Sequence, residues 1–193
     1  MEACPRRAWR ALHTLLDTYE IERQLADRRV LEVSDMLHRR TLGLATAPAA
    51  SPEPPDPAHA VALARARAML DISYAGSPLV GEHVGSITTP TASIPGPGPS
   101  ERFPDRIRLT GTLHHLLLFG AISLPDTFRH RWHDLVSIAP GADFDLASSG
   151  VYPDGALLVR PDGFIGYRLA ETDEGGIAAL DAHLASYLVP ARA

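Results

Sequence analysis

The chain has 193 residues, 45% of them hydrophobic, and a formal net charge of -5. That size suits one domain, or one domain with an appendage, and the acidic balance argues against a nucleic-acid role, which needs a basic face for phosphate. One cysteine, Cys4, excludes an internal disulfide, a CxxC redox pair and a cysteine-rich zinc site. No apolar run approaches the roughly 20 residues of a spanning helix, and no signal-like apolar core follows the arginines of the first ten residues. The expectation is a soluble, cytoplasmic protein.

Trp9, Leu12 and Leu16 share a face and predict a helix over 7–16. Asp17-Thr18-Tyr19-Glu20 reads as a restart, with Asp17 as N-cap and Glu20 at the capping-box position. A longer helix then runs to about residue 40. Its apolar side holds Ile21, Leu25, Val30, Val33, Met36 and Leu37; Glu22, Arg23, Asp27, Arg28 and Arg29 fall on a face expected to be mostly solvated. Gly43 is the stop. The segment 46–57 (TAPAASPEPPDP) is too poor in apolar area to offset ordering and reads as a linker.

Helix returns over 57–70, with Val61, Leu63, Met69 and Leu70 as core candidates. Residues 71–74 suggest a short strand. Residues 76–100 read as loop, and the alternating Pro and Gly of 94–99 mark a boundary. Beyond it, 113–118 is apolar apart from His114 and His115, 121–124 suggests a strand, 127–134 a helix and 135–139 a strand broken by Pro140-Gly141. Residues 142–154 are irregular.

The stretch 155–188 is the most regular. Ala156-Leu157-Leu158-Val159 is short and apolar enough for a buried strand. In Arg160-Pro161-Asp162-Gly163, Pro161 presets φ, Asp162 can bond its own backbone and Gly163 accepts a positive φ. Residues 164–167 return as the partner strand. Thr172 or Asp173 then caps a helix with Ile177, Leu180, Leu184 and Leu188 on one face, ended by Pro190. The fold class is therefore α/β: a thioredoxin-like C-terminal domain, a mixed sheet with flanking helices, preceded by a helical segment. The expected partition is 1–44 helical, 45–100 a Pro-rich linker with one helix, and 101–193 the thioredoxin-like domain.

Two stretches carry a resemblance. Residues 15–23, LLDTYEIER, resemble the "LLDTYEAERRPVA" helix of the FAD-dependent aromatic hydroxylases of the phenol hydroxylase type, with Gln24 and Leu25 departing from that pattern. Residues 156–167, ALLVRPDGFIGY, resemble the same family's "AVLVRPDGHVAWR" hairpin. The spacing of the latter half looks most similar to the subgroup acting on aromatic polyketides. The resemblance implies the C-terminal portion of a FAD- and NAD(P)H-dependent aromatic-ring monooxygenase. The first stretch would be the end of a flavin-binding domain, and the second would lie in a thioredoxin-like domain without redox cysteines. No GxGxxG occurs to seat a pyrophosphate, so the chain is expected to hold no FAD alone and to lack a route to activate oxygen. An alternative of another class is a non-catalytic interaction or dimerisation module.

No residue is assigned a catalytic, cofactor-binding or metal-binding role. His130 and His133 are three apart and, with Asp134 or His114, could hold a metal, but Arg129 and Arg131 would repel it, so a solvated face over a buried Trp132 is expected. One of His114 and His115 should point inward and make a core hydrogen bond. Ser148, His133 and Asp134 lack a nucleophile elbow. Arg160 and Asp162 are read as turn chemistry at an exposed hairpin tip. Tyr19, Glu20 and Arg23 are expected to pack the helix against a neighbour. With that flavin domain missing, Trp9, Leu12 and Leu16 risk exposure, and the chain is expected to self-associate or to dock onto a flavoprotein domain through its N-terminal helices.

Overall fold

A computed structural model describes residues 12–43, 57–68, 71–85, 98–103, 112–141 and 155–190. Residues 7–11 of the predicted first helix, with Trp9, nearly all of the linker 46–57, Met69-Leu70 and the irregular 142–154 lie outside these residues.

The centre is the antiparallel hairpin of β4 (Ala156–Val159) and β5 (Ile165–Leu169), whose two strands are buried at every residue. The turn forms as its residues require. Gly163 sits at φ 84°, and its N–H donates to the Arg160 carbonyl at 2.9 Å. The Asp162 Oδ1 accepts the Phe164 N–H at 3.2 Å, the local bond that favours Asp in turns. β2 (His114–Leu118) lies antiparallel to β4 on its other side, and β3 (Val136–Pro140) lies parallel to β2 at the edge. α3 (Asp126–Trp132) is the crossover between them. α4 (Glu174–Ala185) follows the hairpin; its N-cap is Asp173, whose Oδ1 accepts the Gly176 N–H at 2.7 Å. This is the thioredoxin-like arrangement the sequence predicts, with the last two strands antiparallel and the last helix packed on the sheet.

Strand alternation places two apolar layers on opposite faces of the sheet, with a register shift at Leu158/Val159 separating Ile165 from Tyr167 and Leu169. Ala156, Leu158, Tyr167 and Leu169 join Leu116, Phe128, Trp132, Leu180 and Leu184 in the larger layer, under α3 and α4. Leu157, Val159 and Ile165 join Leu117 and Phe103 in the smaller one. Strands covered on both faces read as continuous apolar runs rather than alternating ones, which is why 156–159 is legible.

Several expectations are corrected. α1 runs unbroken from Thr14 to Thr41, so there is no restart at Asp17. Asp17 lies instead in the first turn, where a carboxylate favours the helix dipole. Gly43, at φ 65°, does end it. α2 spans Pro57–Arg67, but Val61 is 59% exposed, and Ala66 is buried among those of its side chains that are described, which do not include Leu63. Residues 71–74 and 121–124 are not strands. The 76–100 segment is more than loop: β1 (Gly81–His83) pairs parallel to β5 and makes the sheet five-stranded, in the order β1-β5-β4-β2-β3. α4 ends at Ala185 with Ser186 as its C-cap, ahead of Pro190.

A buried ion cluster where the first helix meets the sheet

Arg160 opens the hairpin turn, and its side chain turns inward beneath α1. One guanidinium nitrogen, Nη1, donates to Glu22 Oε1. The other, Nη2, donates to Glu22 Oε2 at 2.8 Å and to Asp162 Oδ2 at 2.6 Å. The Ser77 hydroxyl donates to Glu22 Oε1 at 2.6 Å, and Ser77 Oγ accepts the Leu79 N–H at 3.1 Å. The Arg160 Cζ lies 5.4 Å from the Tyr74 ring centre, within cation–π range. Tyr74 is itself seated, its ring 4.4 Å from Phe164 and its N–H bonded to the Ser100 carbonyl at 3.2 Å.

Arg160 is 8% exposed. A buried guanidinium needs paired charge and hydrogen bonds to offset its desolvation, and the fork geometry of Arg suits two carboxylate oxygens at once. Burial by itself lowers the Arg160 pKa, but the Glu22 hydrogen bond and the Asp162 charge outweigh it and hold the group charged. Burial would raise the Glu22 carboxyl; the hydrogen bonds from Arg160 and Ser77 and the Arg160 charge prevail and keep it below its ordinary value. Burial, then the Asp162 and Glu22 charges, raises the Tyr74 phenol.

The cluster corrects the sequence reading of these side chains. Arg160 is no exposed tip, and Glu22, expected on the solvated face, reaches the hairpin of the same chain. Tyr19, Glu20 and Arg23, expected to pack the helix against a neighbour, are exposed on this chain, Tyr19 at 64%. Leu16 is 71% exposed, as expected of a helix with one uncovered face. Further ties hold α1: Arg29 Nε donates to Asp71 Oδ2 at 3.0 Å, and the Leu12 N–H donates to the Tyr187 carbonyl at 3.0 Å.

Room for Arg160 comes from Gly166. A Cβ there would stand 2.9 Å from the Arg160 Cγ and 3.3 Å from the Leu79 carbonyl oxygen. Gly166→Ala is therefore expected to displace the Arg160 stem and to cost about 1–3 kcal/mol, the range for overpacking a filled site. Urea unfolding measures it; a neutral substitution would show the stem has slack.

The histidines follow other paths. His114 is buried, and its Nε2 pairs with the Tyr187 hydroxyl at 3.3 Å, so one of the two β2 histidines does make a core hydrogen bond. His130 Nδ1 bonds the Asp126 carbonyl, and His133 Nδ1 bonds the His130 carbonyl, both at 2.8 Å. Among the described residues no three His, Cys, Asp or Glu are grouped to hold a metal ion. Ser148 lies outside the described residues. Trp132 is buried, and its indole N–H donates to Asp181 Oδ1 at 2.8 Å.

Two cavities adjoin these features. One, about 340 Å³, sits at the ion cluster, lined by Thr18, Tyr19, Glu22, Tyr74 and Arg160 among others. The other, about 540 Å³, lies between α3 and α4, lined by Phe128, Arg131, Glu174, Ile177 and Asp181 among others. No helix of the described residues is long and apolar enough to cross a membrane.

Residues 78–191 match the family model described as aromatic-ring hydroxylase, C-terminal, which is more than half of the chain. The chain belongs to this aromatic-ring hydroxylase C-terminal family. Its fold is similar to that of the rebeccamycin biosynthetic enzyme RebC, solved with reduced flavin: TM-score 0.55, 21% identity, 89% of this chain and 36% of that one. Native and K252c-bound RebC-10x aligns with TM-score 0.52, 20% identity, 89% of this chain and 37% of that one. The OxyS anhydrotetracycline hydroxylase from Streptomyces rimosus aligns with TM-score 0.45, 23% identity, 67% of this chain and 26% of that one. No curated protein matches the sequence. The chain thus spans about a third of the length of the RebC structures it matches.

The groups that line these two cavities are largely committed to one another rather than open to a flavin pyrophosphate. A pyrophosphate needs free N–H groups and positive charge. Glu22 and Asp162 line the first cavity, and its buried cation, Arg160, is already shared between them. Glu174 and Asp181 line the second, and the α4 N-terminus is capped by the Asp173 carboxylate.

Proposed function

We propose that this chain is the C-terminal module of a FAD- and NAD(P)H-dependent aromatic-ring monooxygenase, in which flavin chemistry belongs to a separate flavin-bearing domain and this unit docks onto it through α1. The observation that carries the proposal is the junction at Glu22 and Arg160. There the stretch resembling the end of a flavin domain is pinned to the hairpin of the family's C-terminal unit, while Leu16 and Tyr19 of the same helix face outward. An apolar helix face of that kind suits a partner surface. By the same reading, the substrate is an aromatic ring of the size handled in polyketide and related natural-product pathways, and the setting is cytoplasmic. The lone cysteine is compatible with a reducing compartment.

The test is the visible spectrum of the purified chain, with and without added FAD, after gel filtration. No flavin band is expected to co-elute with the chain alone, and association is expected when a flavin-bearing domain of a family member is supplied. A stoichiometric flavin band on this chain by itself would overturn the division of labour.

A second reading, self-association through the same α1 face, is favoured by the exposure of Leu16, Tyr19 and Leu31. Light scattering separates the two: a mass that rises with concentration supports it, and a monomer at high concentration sinks it.

A further inference from the structure

The two stretches that most resemble the hydroxylases, 15–23 and 156–167, lie far apart in sequence, yet their charged residues meet. Glu22 and Arg160 are 138 positions apart and share a two-pronged ion pair. Apart from Glu22, the socket around the guanidinium is made by residues outside α1. Asp162 holds the guanidinium from within its own turn, Tyr74 lies against it, and Gly166 leaves space for its stem. Ser77, itself held by the Leu79 N–H, donates to the same Glu22 carboxylate. On the helix side one carboxylate meets all of this, with small or short residues beside it at Thr18 and Ala26.

We propose that Arg160 is the positioning residue that sets α1 on the α/β unit by reading the Glu22 carboxylate, and that it thereby fixes where a flavin-bearing domain joined to α1 stands. The second half of that statement rests on the hydroxylase proposal above; the first rests on the cluster alone. Another ion pair from α1 to this unit, Arg29 with Asp71, is more exposed, with Arg29 at 38% of its side chain against 10% for Arg160. Exposed pairs hold a helix weakly, because solvent screens them and the side chains lose entropy. The buried pair is directional: two parallel N–H···O bonds fix rotation of the helix as well as its distance. A lysine in place of Arg160 keeps the charge and loses the fork.

Hydrogen exchange of the full 193-residue chain, resolved by mass spectrometry, tests this. In Glu22→Gln and in Arg160→Met, amides of residues 15–26 are expected to exchange about tenfold faster or more, with β2 and β4 amides unchanged. Arg160→Lys is expected to fall between these and the unaltered chain. The double variant is expected to exchange no faster than Arg160→Met, since both changes remove one interaction. Unchanged α1 exchange in both single variants would overturn the proposal. So would β2 and β4 amides accelerating in step with α1, or fully additive effects in the double variant. A flavin-bearing domain that fails to associate while α1 exchange still responds counts against the hydroxylase reading and not against the role of Arg160.

Discussion

Lowering the pH from 6.5 to 4 is expected to remove several kcal/mol of stability, through two imidazoles that the folded chain keeps neutral. Burial, followed by the charges of Arg160, His183 and His115, lowers His114 to about 4; a backbone hydrogen bond at Leu135 opposes the shift. Burial also lowers His183 to about 4, against a backbone hydrogen bond at Leu79 and with help from the Arg160 charge. The rings of His183 and Tyr167 stand 4.6 Å apart, and those of His183 and Tyr187 5.4 Å, so the site is apolar as well as crowded. In the unfolded chain both imidazoles take up protons near 6.5; in the folded chain neither does until about 4. The unfolded state therefore binds more protons throughout that window, and stability falls as the pH falls.

A full shift of this size corresponds to about 3 kcal/mol per imidazole, less for His183, which keeps some contact with water. The slope sets in as the unfolded imidazoles begin to protonate around pH 6.5 and fades as the folded ones follow around 4. Glu22, held low by Arg160, loses its own contribution further down. Urea unfolding at pH 7, 6, 5 and 4.5 measures the fall. His114→Phe isolates it: the variant should be less stable at pH 7, because the Tyr187 hydroxyl loses its partner, yet show a shallower slope. Parallel slopes in the two proteins would contradict the assignment.

Trp132→Ala is expected to cost about 3–5 kcal/mol, the range for removing a buried aromatic ring. Trp132 is 1% exposed and closes α3 against the sheet and α4. Its indole N–H donates to Asp181 Oδ1, and Arg131 donates to Asp181 Oδ2 at 2.6 Å while its Cζ lies 5.3 Å from the ring centre. The substitution thus opens a cavity and strips one partner from a carboxylate between two helices. Trp132→Phe keeps most of the volume and loses only the N–H, so about 1–3 kcal/mol is expected from the unsatisfied acceptor. Equilibrium unfolding ranks the two. A Trp132→Ala protein within about 1 kcal/mol of the unaltered chain would show that α3 is not anchored through this ring.

Local signals carried most of the legible fold. The β4–β5 hairpin, its Pro-Asp-Gly turn, the Asp173-capped α4 and the α3–β3 unit each depend on residues within a few positions of one another. The same locality misled at α1. Asp17 and Glu20 have a capping signature, but the helix already runs through them, and its start at Thr14 is held by residues near Tyr187. β1 gives no periodic signal because it is three residues long and owes its conformation to the edge of β5. Arg160 was visible as a motif residue and misplaced, since turn chemistry explains Asp162 and Gly163 without saying where the arginine goes.

Pattern alone determined the α/β class and the central hairpin, because burial periodicity and turn stereochemistry act over short stretches of chain; the family was suggested only by the likeness of two motif stretches to known hydroxylases. Only the tertiary structure decided that Glu22 and Arg160 share a buried pair, that Leu16 and Tyr19 are left facing outward, and that β1 completes the sheet. Those facts depend on the desolvation of charges and the pairing of edges between segments far apart in sequence, and neither leaves a mark on local spacing.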